Sequence, residues 1–186
     1  MPQRDARELF ELPAEGRILG VFGALAGARA LNEFVAETWG RSGPPILHVT
    51  GQRDFQLVRR QVARDDYRVL PETERFGAAL AAVDLVLGRS GSTVWEVAAA
   101  GRPAIFVPYP FAADNHQERN AQALADAGAA LVFRQADLTG NKLAEAVRGL
   151  VDDPGHLERM QSAMKSLGRP EAAATIVAWA TSQRKS

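Results

Sequence analysis

The segment DLVLGRSGSTVWEVAAAGRPAIFVPYP, residues 84–110, decides the fold class of this chain. It opens with an apolar run at 84–88, which predicts a buried strand, and passes through a loop of small residues into a predicted helix at 93–100. A second apolar run at 104–107 predicts the next strand. Strands that are apolar throughout, each followed by a helix, are typical of a parallel sheet covered on both faces.

The same alternation extends toward both ends of the chain. Further strands are predicted at 17–22, 45–49, 67–70 and 130–133, and further helices at 27–39, 55–64, 74–82 and 114–127. Beyond the last strand the apolar spacing is helical throughout. We therefore expect an α/β fold: a Rossmann-like, doubly wound parallel sheet of about six strands over residues 17–186, with a lead-in or linker at 1–16.

Composition excludes several classes of partner. Lysine plus arginine equals aspartate plus glutamate at 22 each, so no global field attracts nucleic acid or anionic lipid. No apolar stretch approaches the roughly 20 residues that a membrane-spanning helix needs. With 0 cysteines, disulfides, thiolate zinc sites and cysteine nucleophiles are excluded.

The histidines do not predict a catalytic metal site, since the chain has only 3 and no carboxylates cluster around them. His48 lies inside an apolar strand, so we expect it to be a hydrogen-bonded core residue.

The loop after the first strand, GALAGAR at 23–29, is rich in glycine. Glycine lets the backbone approach a ligand closely, and free N–H groups at a helix start attract phosphate. The loop lacks the GxGxxG pattern of NAD-binding domains, and the second strand has no acidic residue suited to hold a ribose. A tight structural turn and a phosphate contact both remain open from these residues.

The loop after the fourth strand, RSGSTVWE at 89–96, offers more polar groups. Ser92 and Thr93 could donate to a diphosphate at the helix start, and Glu96 could accept hydrogen bonds from two ribose hydroxyls. The same residues also fit a capping box, in which Glu96 folds back onto the N–H of Thr93.

The loop after the fifth strand, PYPFAADNHQERN at 108–120, is stiffened by two prolines. Asp114 and Gln117 fit an N-cap and its partner three residues later. Alternatively, His116 and Gln117 lie at the rim of the strand ends, where an amide could recognise sugar hydroxyls through a paired donor and acceptor.

Taken in order, these segments resemble the MurG family of UDP-GlcNAc transferases. The family has a GGSxGAR loop, an R-[AS]-G-x-x-x-x-E helix start, a P-x-P loop and an HQ-x-x-NA segment. Here they read FGALAGAR (22–29), RSGSTVWEVAAAGRPAIFVPYP (89–110) and DNHQERNAQALADAGAA (114–130), and ILHVTG (46–51) and DLT (137–139) also correspond. The resemblance runs from about residue 17 onward.

The resemblance implies a set of substrate-binding residues. The 23–27 loop would face the diphosphate, Ser92 and Thr93 would donate to phosphate or sugar, and Glu96 would hold the uridine ribose. His116 and Gln117 would recognise the GlcNAc ring. Residues 70–76 would form the uracil wall, and Asn120 would support the sugar-binding loop. The implied set is Gly23, Ala24, Leu25, Gly27, Thr73, Phe76, Arg89, Ser92, Thr93, Glu96, His116, Gln117 and Asn120.

Two departures from the family pattern matter. Ala24 and Leu25 stand where the family has glycine and serine, and leucine cannot donate to phosphate. The chain also matches only the C-terminal, donor-binding half of a two-domain GT-B enzyme. The general base, still unassigned, and the acceptor contacts would come from an N-terminal domain or subunit.

The resemblance thus implies the UDP-GlcNAc-binding half of an inverting GT-B glycosyltransferase that converts lipid I to lipid II in peptidoglycan synthesis. It would need no metal or cofactor beyond its substrate, and would act in the cytoplasm at the inner face of the membrane. Alone, the chain would be inactive. The alternative is a non-catalytic sugar-nucleotide-binding module or the soluble subunit of a split transferase. A UDP-sugar epimerase and an NAD-binding domain fit these loops less well.

Overall fold

The computed structural model describes residues 1–23, 29–169 and 171–182. Within these residues six short strands form one sheet. Their bounds are β1 Leu19–Phe22, β2 Ile46–Val49, β3 Tyr67–Leu70, β4 Leu85–Gly88, β5 Ala104–Phe106 and β6 Ala130–Val132.

The described helices alternate with the strands and then continue beyond them. They are α1 Gln3–Leu9, α2 Arg29–Trp39, α3 Gln52–Gln61, α4 Phe76–Ala82, α5 Val94–Ala99, α6 His116–Asp126, α7 Gly140–Val151, α8 Pro154–Leu167 and α9 Ala172–Ser182. Two of the later helices begin at capped positions: the side chain of Thr139 accepts from the N–H of Lys142, and that of Asp153 from the N–H of His156.

The strand order is β3-β2-β1-β4-β5-β6, and each neighbouring pair is parallel. This is the order of a doubly wound Rossmann sheet, with the reversal of direction between β1 and β4. The predicted fold class is confirmed. Ligands of such sheets bind in the crevice beyond the carboxyl ends of the strands at this reversal.

A separate apolar core fills each face of the sheet. On one face, Phe22, Leu80 and Phe106 are among the residues that pack together, and Met164 of α8 joins them. On the other face Val35, Trp39 and Ile105 belong to the cluster, which extends to α7 and α8. Because both faces are covered, the polar chemistry is left to the loops at the strand ends.

Residues 1–16 contain a helix that the apolar periodicity did not predict. Helix α1 packs against α4, and its Arg7, only 6% exposed, forms an ion pair with Asp84 at 2.8 Å. The carboxylate of Asp84 also accepts the N–H of Ile18 at 2.7 Å and lies 3.6 Å from Arg17. Asp84 therefore joins α1 to the amino ends of β1 and β4.

Candidate functional site

The carboxyl ends of β1 and β4 lie side by side at the centre of the sheet, where Phe22 pairs with Gly88. A Cβ at position 88 would lie 2.7 Å from the carbonyl oxygen of Phe22, so only glycine allows this approach. The loops that follow these two strands therefore flank the crevice at the topological switch point.

Gly23 begins the loop after β1. Its N–H donates to the carbonyl of Val49 at 3.4 Å, which places the loop's first residue at the end of β2. The predicted contacts of Ala24, Leu25 and Gly27 lie outside the described residues.

The predicted uracil wall follows β3. Phe76 packs edge-to-face on Phe22, with ring centroids 5.1 Å apart, so it lies beside the end of β1. Thr73 accepts from the N–H of Arg75 at 3.1 Å, which shapes the turn before α4. The structure thus brings the β3 loop to the same edge of the sheet as Gly23.

Arg89 follows β4 directly, and its side chain is directed into the protein. It is only 2% exposed, and its guanidinium donates to the carbonyls of Val107 and Pro108 and, at 2.6 Å, to Oε1 of Gln135. It also lies 5.7 Å from the ring centroid of Tyr109, and burial lowers the pKa of the guanidinium. These contacts show that Arg89 holds the loop after β5, and its expected place among the substrate-binding residues stays a prediction.

Tyr109 and Gln135 were not selected from the sequence. The only signal was their neighbourhood, since Tyr109 stands between two prolines and Gln135 lies two residues before the DLT segment. A glutamine 46 positions away from an arginine gives no periodic indication that the two meet.

Glu96 lies in the first turn of α5 with an exposed side chain. The capping box considered for it is wrong: Thr93 has helical backbone angles, φ −61° and ψ −16°, and makes no side-chain cap hydrogen bond. The turn closes instead through the backbone, with the N–H of Val94 donating to Gly91 and that of Trp95 to Ser92. Within the part of the chain that the structure describes, the Glu96 carboxylate therefore makes no cap hydrogen bond, and it can accept hydrogen bonds from a ligand.

The side chains of Gln117 and Asn120 connect α6 to the loops that follow β5 and β4, respectively. The Oε1 atom of Gln117 accepts from the N–H of Tyr109 at 3.0 Å, and Nδ2 of Asn120 donates to the carbonyl of Ser90 at 3.1 Å. Nε2 of Gln117 lies toward Gly91, 3.7 Å from where a Cβ would stand. The Gln117 amide therefore faces the 89–93 loop with its donor while its acceptor shapes the 108–110 loop.

The helix start proposed at Asp114 is also wrong. Residues Ala113–Asn115 form a 3-10 turn, Asp114 and Asn115 take left-handed backbone angles, and α6 begins at His116 without a side-chain cap. Nδ1 of the exposed His116 is hydrogen-bonded to the carbonyl of Ala113 at 2.8 Å.

The prediction that His48 is a hydrogen-bonded core residue is confirmed. Its ring is fully buried, and its two nitrogens lie 2.8 Å from the hydroxyl of Tyr67 and 3.0 Å from Oδ1 of Asn32. Burial lowers the pKa of His48 to about 3.

The strand order and the loops converging on its switch point define the C-terminal, Rossmann-like half of a GT-B glycosyltransferase. The crystal structure of MurG from Acinetobacter baumannii is 32% identical, with a TM-score of 0.78 over 89% of this chain and 52% of that one. Residues 18–176 match the glycosyltransferase family 28 C-terminal domain. The chain belongs to this family.

Two curated relatives of this chain have the same name, UDP-N-acetylglucosamine–N-acetylmuramyl-(pentapeptide) pyrophosphoryl-undecaprenol N-acetylglucosamine transferase. The Solibacter usitatus protein is 42% identical over 93% of this chain, and the Desulforamulus reducens protein is 35% identical over 94%. The chain spans 50% of the length of each of these two. Across the described residues, every helix is too short or too polar to cross a membrane.

Proposed function

We propose that this chain is the donor-binding half of an inverting transferase that moves GlcNAc from UDP-GlcNAc to lipid I. The proposal rests on Glu96, whose carboxylate is exposed and makes no helix-capping hydrogen bond. It lies one turn beyond the loop that follows β4, beside the switch point at which nucleotides bind in doubly wound sheets. An ionised carboxylate accepts from two adjacent hydroxyls, which is what a ribose offers.

The surrounding groups suit the rest of the donor. The 23–27 loop and Ser92 would contact the diphosphate, and the β3 loop with Phe76 would cover the uracil. Nε2 of Gln117 would donate to the sugar, because its Oε1 already accepts from Tyr109. His116 would approach the same ring from the start of α6.

The acceptor and the general base would come from a second domain or subunit. The chain spans half the length of relatives whose names specify a complete transferase, which supports this division. Two large aromatic side chains are exposed, Trp95 in the first turn of α5 at 55% and Phe111 in the loop after β5 at 81%, and they would face the second half. The assembled enzyme would act on the cytoplasmic face of the membrane, where lipid I presents its diphosphate-linked sugar.

Calorimetric titration of the chain with UDP-GlcNAc tests the donor site directly. We expect weak but saturable binding, and no transfer of GlcNAc to lipid I until a family N-terminal half is added. An absence of heat at millimolar ligand would refute the proposal. Binding without transfer in the presence of the second half would identify a non-catalytic nucleotide-binding module.

A Glu96→Gln variant tests the carboxylate. Charge-assisted hydrogen bonds are worth about 1.5–3 kcal/mol, so we expect the Kd to rise by roughly tenfold to a hundredfold with no loss of thermal stability. The matched control is Glu37→Gln, an exposed glutamate near the distal end of α2. Equal Kd values for the two variants would remove Glu96 from the site.

A further inference from the structure

A buried chain of hydrogen bonds connects β3, β2 and the first turn of α2. It runs from the hydroxyl of Tyr67 to the imidazole of His48 and on to the amide of Asn32. His48 and Asn32 are both 0% exposed. Such a network is costly to leave incomplete, and when fully satisfied it holds its members in one arrangement.

The direction of this chain follows from its far end. Nδ2 of Asn32 donates to the carbonyl of Thr50 at 2.8 Å and to Oδ2 of Asp54 at 3.1 Å, two groups that can only accept. Oδ1 of Asn32 must therefore face His48 and accept from its Nε2–H. Nδ1 of His48 then carries no proton and accepts from the Tyr67 hydroxyl.

Because the pKa of His48 is about 3, its imidazole is uncharged at ordinary pH. Both amide hydrogens and the oxygen of Asn32 are used, so its side chain has a single satisfied orientation.

The network ends at Asn32, which contacts the end of β2 next to the residue that holds the start of the loop after β1. The N–H of Gly23, on one side of that loop, donates to the carbonyl of Val49, and Asn32, on the other side, donates to the carbonyl of Thr50. Two consecutive carbonyls at the end of β2 thus hold both flanks of the segment that the proposed function assigns to the diphosphate.

We propose that Asn32 and His48 are positioning residues for diphosphate binding. Neither touches the donor: Asn32 fixes the first turn of α2 to the end of β2, and His48 fixes the orientation of Asn32. The inference rests on the proposed donor site, and it predicts that breaking the hydrogen bonds of Asn32 weakens recognition of the phosphates while recognition of the nucleoside is preserved.

The test compares UDP with uridine on the intact 186-residue chain, using NMR titrations and thermal denaturation. In His48→Phe a ring of similar size remains but both hydrogen bonds are lost. We expect the Kd for UDP to rise about tenfold and the Kd for uridine to change less than twofold. His48→Gln, which can donate to Asn32 and accept from Tyr67, is expected to restore UDP binding.

Two further variants complete the design. Tyr67→Phe removes only the outermost hydrogen bond and is expected to bind UDP within twofold of the wild type. Asn32→Asp keeps the shape of the side chain but cannot donate to Thr50, so it is expected to reproduce the selective loss of UDP binding. Asn32→Asp also decides the question if His48→Phe does not fold.

An unchanged Kd for UDP in folded His48→Phe or Asn32→Asp would overturn the inference, as would an equal loss of UDP and uridine binding or a failure of His48→Gln to restore affinity. A wild-type chain that binds neither ligand would instead refute the donor site itself.

Discussion

His48 shows how a titratable residue can be held uncharged inside this fold. Its ring lies between a tyrosine hydroxyl and an asparagine oxygen, and both of these hydrogen-bond partners are uncharged. Burial therefore acts alone, and the pKa falls from 6.5 to about 3.

This shift makes stability depend on pH in a definite direction. Between pH 6.5 and about 3 the unfolded chain binds a proton at position 48 that the folded chain does not, so stability is lost as pH falls. We expect the free energy of unfolding to decrease by about 1.4 kcal/mol for each pH unit across this window from His48 alone. Urea denaturation of the wild type at pH 7, 6, 5 and 4 measures it.

The matched variants are His48→Gln and His156→Gln. In His48→Gln the free energy of unfolding should depend on pH less steeply, by about 1.4 kcal/mol per pH unit. In His156→Gln, a change at a partly exposed position, it should keep the wild-type dependence. Parallel curves for wild type and His48→Gln would show that His48 is protonated to the same extent in both states.

Single residues also show which roles a sequence pattern cannot distinguish. Glu96 and Gln117 were each compatible with a capping role and a ligand role, because the spacing is identical for both. Only the backbone angles of Thr93 and the bond from Tyr109 to Gln117 decide against capping. The family resemblance implied a ligand contact for Arg89, but it gave no sign that the buried guanidinium also holds Val107, Pro108 and Gln135.

At the scale of elements, the carboxylate of Asp84 connects α1 to the sheet. Asp84 accepts from Arg7, Gln3 and the N–H of Ile18, and both Asp84 and Arg7 are nearly inaccessible to water. Breaking a buried pair by removing one partner leaves the other charge without compensation.

We therefore expect Asp84→Ala to lower the free energy of unfolding by about 3 kcal/mol. The control is Glu11→Ala, which removes an exposed partner of Arg68 and should cost less than about 1 kcal/mol. Guanidinium denaturation of both variants provides the comparison. Similar losses in the two would mean that α1 is anchored by its apolar contacts rather than by Asp84.

The strands were predictable and the helix starts were less so. The run Tyr67–Leu70 is apolar except for Arg68 and is followed by a proline, and the observed strand has the predicted bounds. The third helix begins at Gln52, three residues before its predicted start, because its first turn is polar and carries no apolar period. Helix α1 was missed for a related reason: only Ala6 and Arg7 of its seven residues are buried.

Across the whole molecule, burial is uneven between the sheet and the C-terminal helix. Every described residue of α9 is exposed, including Ile176, Val177 and Trp179 at 61–66%. A helix that buries so little apolar surface adds little to the stability of this chain.

We expect removal of residues 172–186 to change the free energy of unfolding by less than about 1 kcal/mol and to leave the denaturant m-value nearly unchanged. Met160→Ala, which truncates a buried side chain of the preceding helix, serves as the positive control and should cost about 2–5 kcal/mol. A loss in the truncated chain comparable to that control would show that α9 contributes to the folded core.

The attachment of α1 also bears on how fragments of such proteins are cut. The match to the family 28 C-terminal domain begins at residue 18, just after α1 and after both arginines that face Asp84. A fragment cloned to that border would retain every loop of the nucleotide crevice, yet Asp84, at the amino end of a central strand, would lose Arg7, Arg17 and its cover by α1. We therefore expect the cooperatively folding unit to begin before residue 18, so that residues 1–17 should be kept for expression.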